Sequence, residues 1–357
     1  METTYYDMVV FCHLRWQFVY QRPQHLISRM SRQFKVLLVE EPIGFHDGEE
    51  FTAQLSVVNP QLHILQPRVV RMEDIGELLQ TYISNVSIPY AWFYSASFSS
   101  VLKYLEFETI IYDCMDELSL FKGASQELIN QEQYLLKYTD VVFTGGKSLY
   151  ESKSQLHHKV FCFPSSVDEQ HFAKALNGLA LPEDIESIPH PIIGYFGVID
   201  ERINRDLLLQ AAASLPDFSF VMIGPLAKIE AGDLPRLPNI HYLGIKSYNV
   251  LPAYLKAFDV AMMPFALNDA TKYISPTKTL EYMAAGRPII STRIKDVERD
   301  YSHCVTIVDS VSEFCDAVLK LTSKGYSGVQ GYREILSHTS WDNTADQMQS
   351  IIQKTTS

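Results

Sequence analysis

The chain has 357 residues, 46% of them hydrophobic, which is enough to fill two ordinary domain cores rather than one. A formal charge of −12 argues against a nucleic-acid partner, because binders of a phosphate backbone concentrate Lys and Arg on one face. Neither half is basic, with 13 Lys and Arg against 21 Asp and Glu over residues 1–170 and 17 against 21 thereafter, so only weak peripheral contact with an anionic membrane is expected.

The first residues lack a basic stretch followed by an apolar one, and no apolar run approaches the ~18 residues that span a bilayer. The expected location is therefore the cytoplasm, extending at most to the inner face of the membrane. Cysteines 12, 114, 162, 304 and 315 show no C-x-x-C spacing, and buried reduced thiols are expected rather than a metal site.

Short apolar runs alternate with helical patterns from end to end, the sign of parallel sheets wrapped by helices in an α/β fold. Strands are predicted over Asp7–Cys12, Lys35–Glu40, Tyr90–Tyr94, Thr109–Tyr112, Asp140–Phe143 and Lys159–Phe163. The loop after the first strand carries Trp16, Arg22 and His25, which combine an aromatic stacking surface, a cation and a titratable group. Alternatively, Trp16 and Phe18 anchor that loop to the core. After the strand at 109–112 come Asp113, Asp116 and Glu117, carboxylates that could orient a hydroxyl or act as a base, with helix capping by Asp116 the competing reading.

Residues Ala173–Pro191 break the rhythm with Asn177-Gly178 and three prolines, and are predicted to link the domains. A second α/β series follows, near Ile192–Ile199, Ser219–Ile223, Asn239–Tyr242, Asp259–Met263, Pro288–Ser291 and Cys304–Val308. Expected domains are thus 1–172 with 341–357, the linker 173–191, and 192–340. Ligands of open parallel sheets sit at the carboxyl ends of strands, so two such domains facing each other would enclose a deep cleft.

Residues 275–291 read S-P-T-K-T-L-E-Y-M-A-A-G-R-P-I-I-S. Ser275 is expected to cap a helix, Pro276 to fill its first position, and Gly286 to take the left-handed position after its end. The free amides there and Lys278 suit an anion, and Glu281, about 4.5 Å further along the axis, could accept hydrogen bonds from two ribose hydroxyls. That spacing fits a nucleoside diphosphate; an exposed Lys278–Glu281 ion pair is the plainer alternative. Near the C-terminus, Thr339 and Asp342 resemble a capping box, and Trp341, Ala345, Met348 and Ile352 share one helical face that needs a surface to cover it.

The run P-T-K-T-L-E-Y-M-A-A-G-R-P-I-I-S-T at 276–292 resembles the nucleotide-binding signature of the retaining family-four (group 1) glycosyltransferases, and R-W-Q-F-V-Y-Q-R-P-Q-H-L at 15–26 resembles those of bacterial cell-surface polysaccharide synthesis. The resemblance implies a GT-B fold, with two Rossmann-like domains and a C-terminal helix crossing back to the N-terminal one. It implies transfer of a sugar from a nucleotide-diphosphosugar, a UDP- or GDP-sugar, to a glycan, lipid-linked or other hydroxyl acceptor, with retention and without a metal or bound cofactor. Donor residues implied are Glu281 on the ribose, Lys278, Thr277, Pro276 and Ser275 near the phosphates, Gly197 in G-Y-F-G-V-I-D-E-R, Ile245 at the base, and Tyr273, where relatives carry the first of two glutamates eight positions apart. Val198 stands where an arginine grips the pyrophosphate, leaving Arg202 and Arg205 as substitutes. Acceptor-binding expectations are Trp16, Arg15 and Arg22, and catalytic ones Asp116, Asp113 and His25. A nucleotide-sugar epimerase of the same fold, or a non-catalytic binding partner, are the alternatives to transfer.

Overall fold

Stretches of five wholly buried residues, such as Met8–Cys12 and Ile192–Phe196, mark strands covered on both faces, as parallel sheets require. The computed structural model describes residues 3–44, 51–121, 123–323 and 330–356. The chain divides into two units, Met1–Pro164 together with Trp341–Ser357, and Ser165–Ser340.

The first unit holds β1 (Met8–Cys12), β2 (Val36–Glu40), β3 (Thr52–Asn59), β4 (Leu62–Arg68), β5 (Ile88–Phe93), β6 (Phe107–Cys114), β7 (Val141–Thr144) and β8 (Val160–Cys162). They form one sheet in the order β3-β4-β2-β1-β5-β6-β7-β8, parallel except for the β3–β4 hairpin. That hairpin was not expected from the sequence. The outer strand β3 is largely exposed and mixes polar and apolar residues without a clean alternation, so it lacks the buried-strand pattern that betrays the others.

The second unit holds β9 (Ile192–Phe196), β10 (Ser219–Ile223), β11 (Ile240–Gly244), β12 (Val260–Met263), β13 (Ile289–Thr292) and β14 (Thr306–Val308), all parallel, in the order β11-β10-β9-β12-β13-β14. The direction of winding reverses between β9 and β12, and a crevice opens at the carboxyl ends of strands at such a point. In the first unit the reversal lies between β1 and β5.

Two expectations are corrected here. Residues 173–191 are not an open linker: Ala175, Ile185 and Ile188 are buried in the core of the second unit, and the division between units falls at Pro164 and Ser165. Two short helical turns form there, Ala173–Leu176 and Glu183–Glu186, the second with Pro182 at its cap position. Thr339 does not cap the last helix, since its hydroxyl donates to the carbonyl of Ile335 at 3.1 Å, closing the preceding turn.

The last helix, Trp341–Thr356, returns to the first unit. Its face of Trp341, Ala345, Met348 and Ile352 is buried in one cluster with Leu26, Ile27 and Met30 of the Arg22–Met30 helix. Asp342 pins its start to Arg29 (3.1 Å) and Arg32 (2.7 Å). Met348→Ala should cost about 2–5 kcal/mol, the range for truncating a buried large side chain. Urea unfolding followed by tryptophan emission checks this, because all three tryptophans, Trp16, Trp92 and Trp341, lie in this unit. A loss well under 1 kcal/mol would mean that the helix contributes little to the fold.

Candidate active site

The second unit builds its candidate site from strand ends that only glycine permits. Gly197 follows β9 at φ +136° and Gly224 follows β10 at φ +146°. A Cβ on Gly224 would lie 1.9 Å from the carbonyl oxygen of Gly197, so the two turns touch backbone to backbone. The amides continue the sheet pattern, Gly197 N–H donating to Ile223 (2.8 Å) and Gly224 N–H to Gly244 (2.9 Å).

Over this floor lies Lys278. A Cβ on Gly197 would meet Lys278 Cε at 2.1 Å and Nζ at 2.6 Å, so the ammonium occupies the space that the missing side chain leaves. The same Nζ stands 5.6 Å from the ring centroid of Tyr195, a cation–π contact, and Tyr195 is held by a hydrogen bond from its hydroxyl to the Val198 carbonyl (2.9 Å). Structure thus brings Gly197 and Lys278 together as the sequence suggested, and adds Gly224 and Tyr195.

The helix spans Lys278–Ala284, beginning later than expected. Pro276 is outside it, and Ser275 makes no cap; Thr277 holds the cap position without a capping bond of its side chain. Gly286 does take the left-handed position after the end, at φ +65°. Glu281 is 6% exposed, and burial pushes its carboxyl up to about 7 while the Lys278 ammonium pulls the other way. The alternative of a solvated surface ion pair is thereby removed.

The other donor-side residues are scattered in character. Arg202 is gripped in fork geometry by Asp200 (2.7–3.0 Å), and Arg205 opens its helix beside Asp233 at 3.6 Å, so both guanidiniums already face carboxylates. Ile245 is 52% exposed after the left-handed Gly244, and Lys246 is drawn to Asp184 at 2.6 Å. Tyr273 is half-buried in a turn, with the Lys272 ammonium 5.2 Å from its ring centroid.

In the first unit several expected functional residues are buried and paired. Arg22 and Asp113 are 4% and 0% exposed and form a forked ion pair at 2.9–3.1 Å, with Arg22 also donating to the Phe163 carbonyl at 2.8 Å. Burial raises the Asp113 carboxyl and the Arg22 charge lowers it. His25 is 2% exposed, stacked on Trp341 at 4.7 Å and edge-on to Tyr20 at 4.6 Å. Arg22, Asp113 and His25, expected to face substrate, are thus buried and engaged with their surroundings inside the first unit.

Asp116 is half-buried beyond β6, and the turn after it starts at Leu118 with Glu117 as cap residue, so Asp116 is not a cap. Glu117 is taken by the buried Lys153 at 2.8 Å, which also binds Glu132 at 2.7 Å. Trp16 is half-buried and leans on the core cluster, in keeping with anchorage of the loop. The sequence reading overlooked Glu40, buried at the end of β2: it accepts from Trp16 N–H (2.6 Å) and Arg15 (3.2 Å), and Arg15 donates onward to the carbonyls of Glu41 and Pro42. Trp16 and Arg15 sit 24 and 25 residues away from it in sequence, where no local signal marks them.

Among the described residues there is no group of three or more His, Cys, Asp or Glu able to hold a metal ion, and no helix is long and apolar enough to cross a membrane. Residues 190–324 match the family of glycosyl transferases group 1. The chain is 21% identical over 274 residues to TuaH of Bacillus subtilis (strain 168), provisionally described as a teichuronic acid biosynthesis glycosyltransferase; the match covers 68% of this chain and 66% of that protein, just under two thirds of its length. In fold it is similar to sucrose-phosphate synthase from Thermosynechococcus elongatus (TM-score 0.74, 13% identity, 97% of this chain and 98% of that one). It is likewise similar to the E. coli trehalose-6-phosphate structure bound with UDP-2-fluoro glucose (TM-score 0.65, 11% identity, 97% and 98%). The signature helix lies inside the matched residues 190–324, so that segment is similar to the group 1 glycosyl transferases, and the chain as a whole has the GT-B fold.

Proposed function

We propose that this chain moves a sugar from a nucleotide-diphosphosugar to a hydroxyl on a glycan or lipid-linked acceptor, with retention and without a metal, in the synthesis of a cell-surface polysaccharide. The observation that carries this reading is the pairing, on one helix, of a cation seated over a glycine floor with a buried carboxylate one turn later. Lys278 sits where a diphosphate would approach the Gly197 backbone, and a fixed positive charge there stabilises the diphosphate as it departs. Glu281, when ionised, offers acceptors to two ribose hydroxyls. The UDP-sugar in the E. coli neighbour and the polysaccharide context of the Bacillus relative are consistent with donor and setting. Retention rests on the resemblance to the retaining family. On the acceptor side the half-buried Asp116 after β6 is assigned to the acceptor hydroxyl, and Arg15 and the half-buried Trp16 of the loop after β1 to the acceptor sugar, a role Trp16 can fill while its other face anchors the loop. The protein works in the cytoplasm, at most against the inner face of the membrane.

Two measurements test the donor assignment. Glu281→Ala should weaken UDP or GDP at least tenfold, since each lost hydrogen bond to a charged group is worth about 1.5–3 kcal/mol, while Lys278→Ala should weaken the diphosphate much more than the nucleoside. Calorimetric titration against each ligand checks both. Unchanged affinity in folded variants would remove these residues from the site.

Stability against pH gives an independent check on Glu281. The folded carboxyl keeps its proton up to about 7, whereas the unfolded chain releases it in the usual carboxylate range. Between those limits the folded state binds more protons, so this group makes stability fall as pH rises through the window and adds nothing further above it. Glu281→Gln should abolish that fall and leave the protein more stable than the parent near pH 8, by roughly 3 kcal/mol for a carboxyl raised from 4.5 to about 7. Parallel urea curves at about pH 5 and about pH 8 decide it: an identical pH response in both proteins would contradict a desolvated Glu281.

A further inference from the structure

The segment entering the signature helix is held by a residue far from it in sequence. Thr277 has helical backbone angles (φ −53°, ψ −33°), and its side chain caps nothing. Its hydroxyl instead donates to Ser165 Oγ at 3.1 Å, and Ser165 Oγ donates to the Ser275 carbonyl at 2.9 Å. One serine, 110 and 112 residues earlier, thus closes a relay across the three residues before Lys278.

Ser165 is a firm anchor. Ser166 and Val167 beside it are 4% and 1% exposed, and Val167 belongs to the core of the second unit. Immediately after, the Asp168 carboxylate accepts from His171 N–H at 3.2 Å and caps the Glu169–Phe172 helix, whose Phe172 stacks on Phe196 at the end of β9. The same β9 end leads into Gly197, over which Lys278 lies. Ser165 therefore joins the floor of the candidate site to the segment that positions its cation.

We propose that Ser165 is a positioning residue for the donor diphosphate: through Thr277 and Ser275 it keeps Lys278 over Gly197 before the ligand arrives. This rests on the assignment of Lys278 and Glu281 to the donor. Among the described residues the relay is the side-chain hydrogen bonding of 275–277 to the preceding segment, and without it the ligand must order them on binding. The loss then falls on the diphosphate and spares the nucleoside, whose proposed contact is Glu281.

The test compares Ser165→Ala, Ser165→Thr and Glu281→Ala with the parent by calorimetric titration of UDP, GDP and ADP, of the matching nucleoside, and of inorganic pyrophosphate, with thermal unfolding alongside. Ser165→Ala is expected to weaken pyrophosphate, and whichever nucleotide the parent binds, by about threefold to tenfold, the scale of one hydrogen-bonded link. Nucleoside affinity stays within about twofold, Ser165→Thr restores the loss, and in turnover the donor KM rises while kcat at saturating donor holds. Parent-like affinity of Ser165→Ala beside a weakened Glu281→Ala overturns the proposal, as does equal weakening of nucleoside and diphosphate or a failure of threonine to restore. A Glu281→Ala protein that still binds as the parent does defeats the underlying assignment instead, and the proposal with it. Should Ser165→Ala not fold, Thr277→Val removes the other end of the relay and must show the same selective loss; parent-like diphosphate binding there overturns the proposal.

Discussion

A backbone carbonyl with no room around it governs the second unit of this protein. The Gly197 oxygen lies so close to Gly224 that any side chain at 224 would collide with it, and Gly197 in turn leaves the volume that Lys278 fills. Each step of that stack depends on the one beneath. A methyl at 224 would push the Gly197 turn upward, and a methyl at 197 would displace the ammonium, at positive φ values that already disfavour any L side chain. The sheet supplies the rigidity, since both turns end strands paired directly to one another, β9 with β10 in unbroken register.

The first unit solves a different problem, that of burying charge without stranding it. Arg22 opens the Arg22–Met30 helix and Asp113 lies near the end of β6, and they meet in a dry place, where two ions survive only with near-ideal geometry and further hydrogen bonds. The forked contact and the Phe163 carbonyl supply these. Lys153 at the end of a helix with Glu117 and Glu132, and Glu40 at the end of β2 with Arg15 and the Trp16 amide, repeat the device within the same unit. Such pairs add little net stability compared with apolar replacements, but removing one partner leaves the other buried alone. They fix the shape of the loops around Trp16 and Asp116.

Sequence periodicity revealed most of this architecture because a doubly covered strand is a run of apolar residues and nothing else resembles it. It located twelve strands within a few residues and missed the β3–β4 hairpin, whose outer strand is exposed. The face of Trp341, Ala345, Met348 and Ile352 was legible from its helical spacing, and the resemblance to the GT-B glycosyltransferases implied that the first unit covers it. Polar residues were harder to read. Arg22, Asp113 and His25 have the chemistry of a site, and only the three-dimensional structure shows them buried and engaged. Ser165 left no trace at all, since a serine becomes meaningful only when Thr277 and Ser275 are beside it. Within the signature, by contrast, Lys278 and Glu281 are a single turn apart, and local spacing was enough to place them together.

The departure at Tyr273 bears on how Glu281 behaves. Between residues 270 and 286 Glu281 is the only acidic residue, so where relatives carry two neighbouring carboxylates this chain has one, and no like charge from this segment adds to its proton affinity. Burial raises that affinity and Lys278 opposes it. A bound diphosphate would shift the balance in two directions at once. Its negative charge neutralises the field of Lys278 and favours the protonated carboxyl, whereas two ribose hydroxyls donating to the carboxylate favour the ionised one. Under the proposed assignment the intact nucleoside diphosphate is the ligand that satisfies both groups: phosphate alone leaves the carboxyl desolvated, and nucleoside alone leaves Lys278 without its counter-charge. A site organised in this way discriminates by requiring both ends of the donor together, which is a form of selectivity that the length of one helical turn is sufficient to impose.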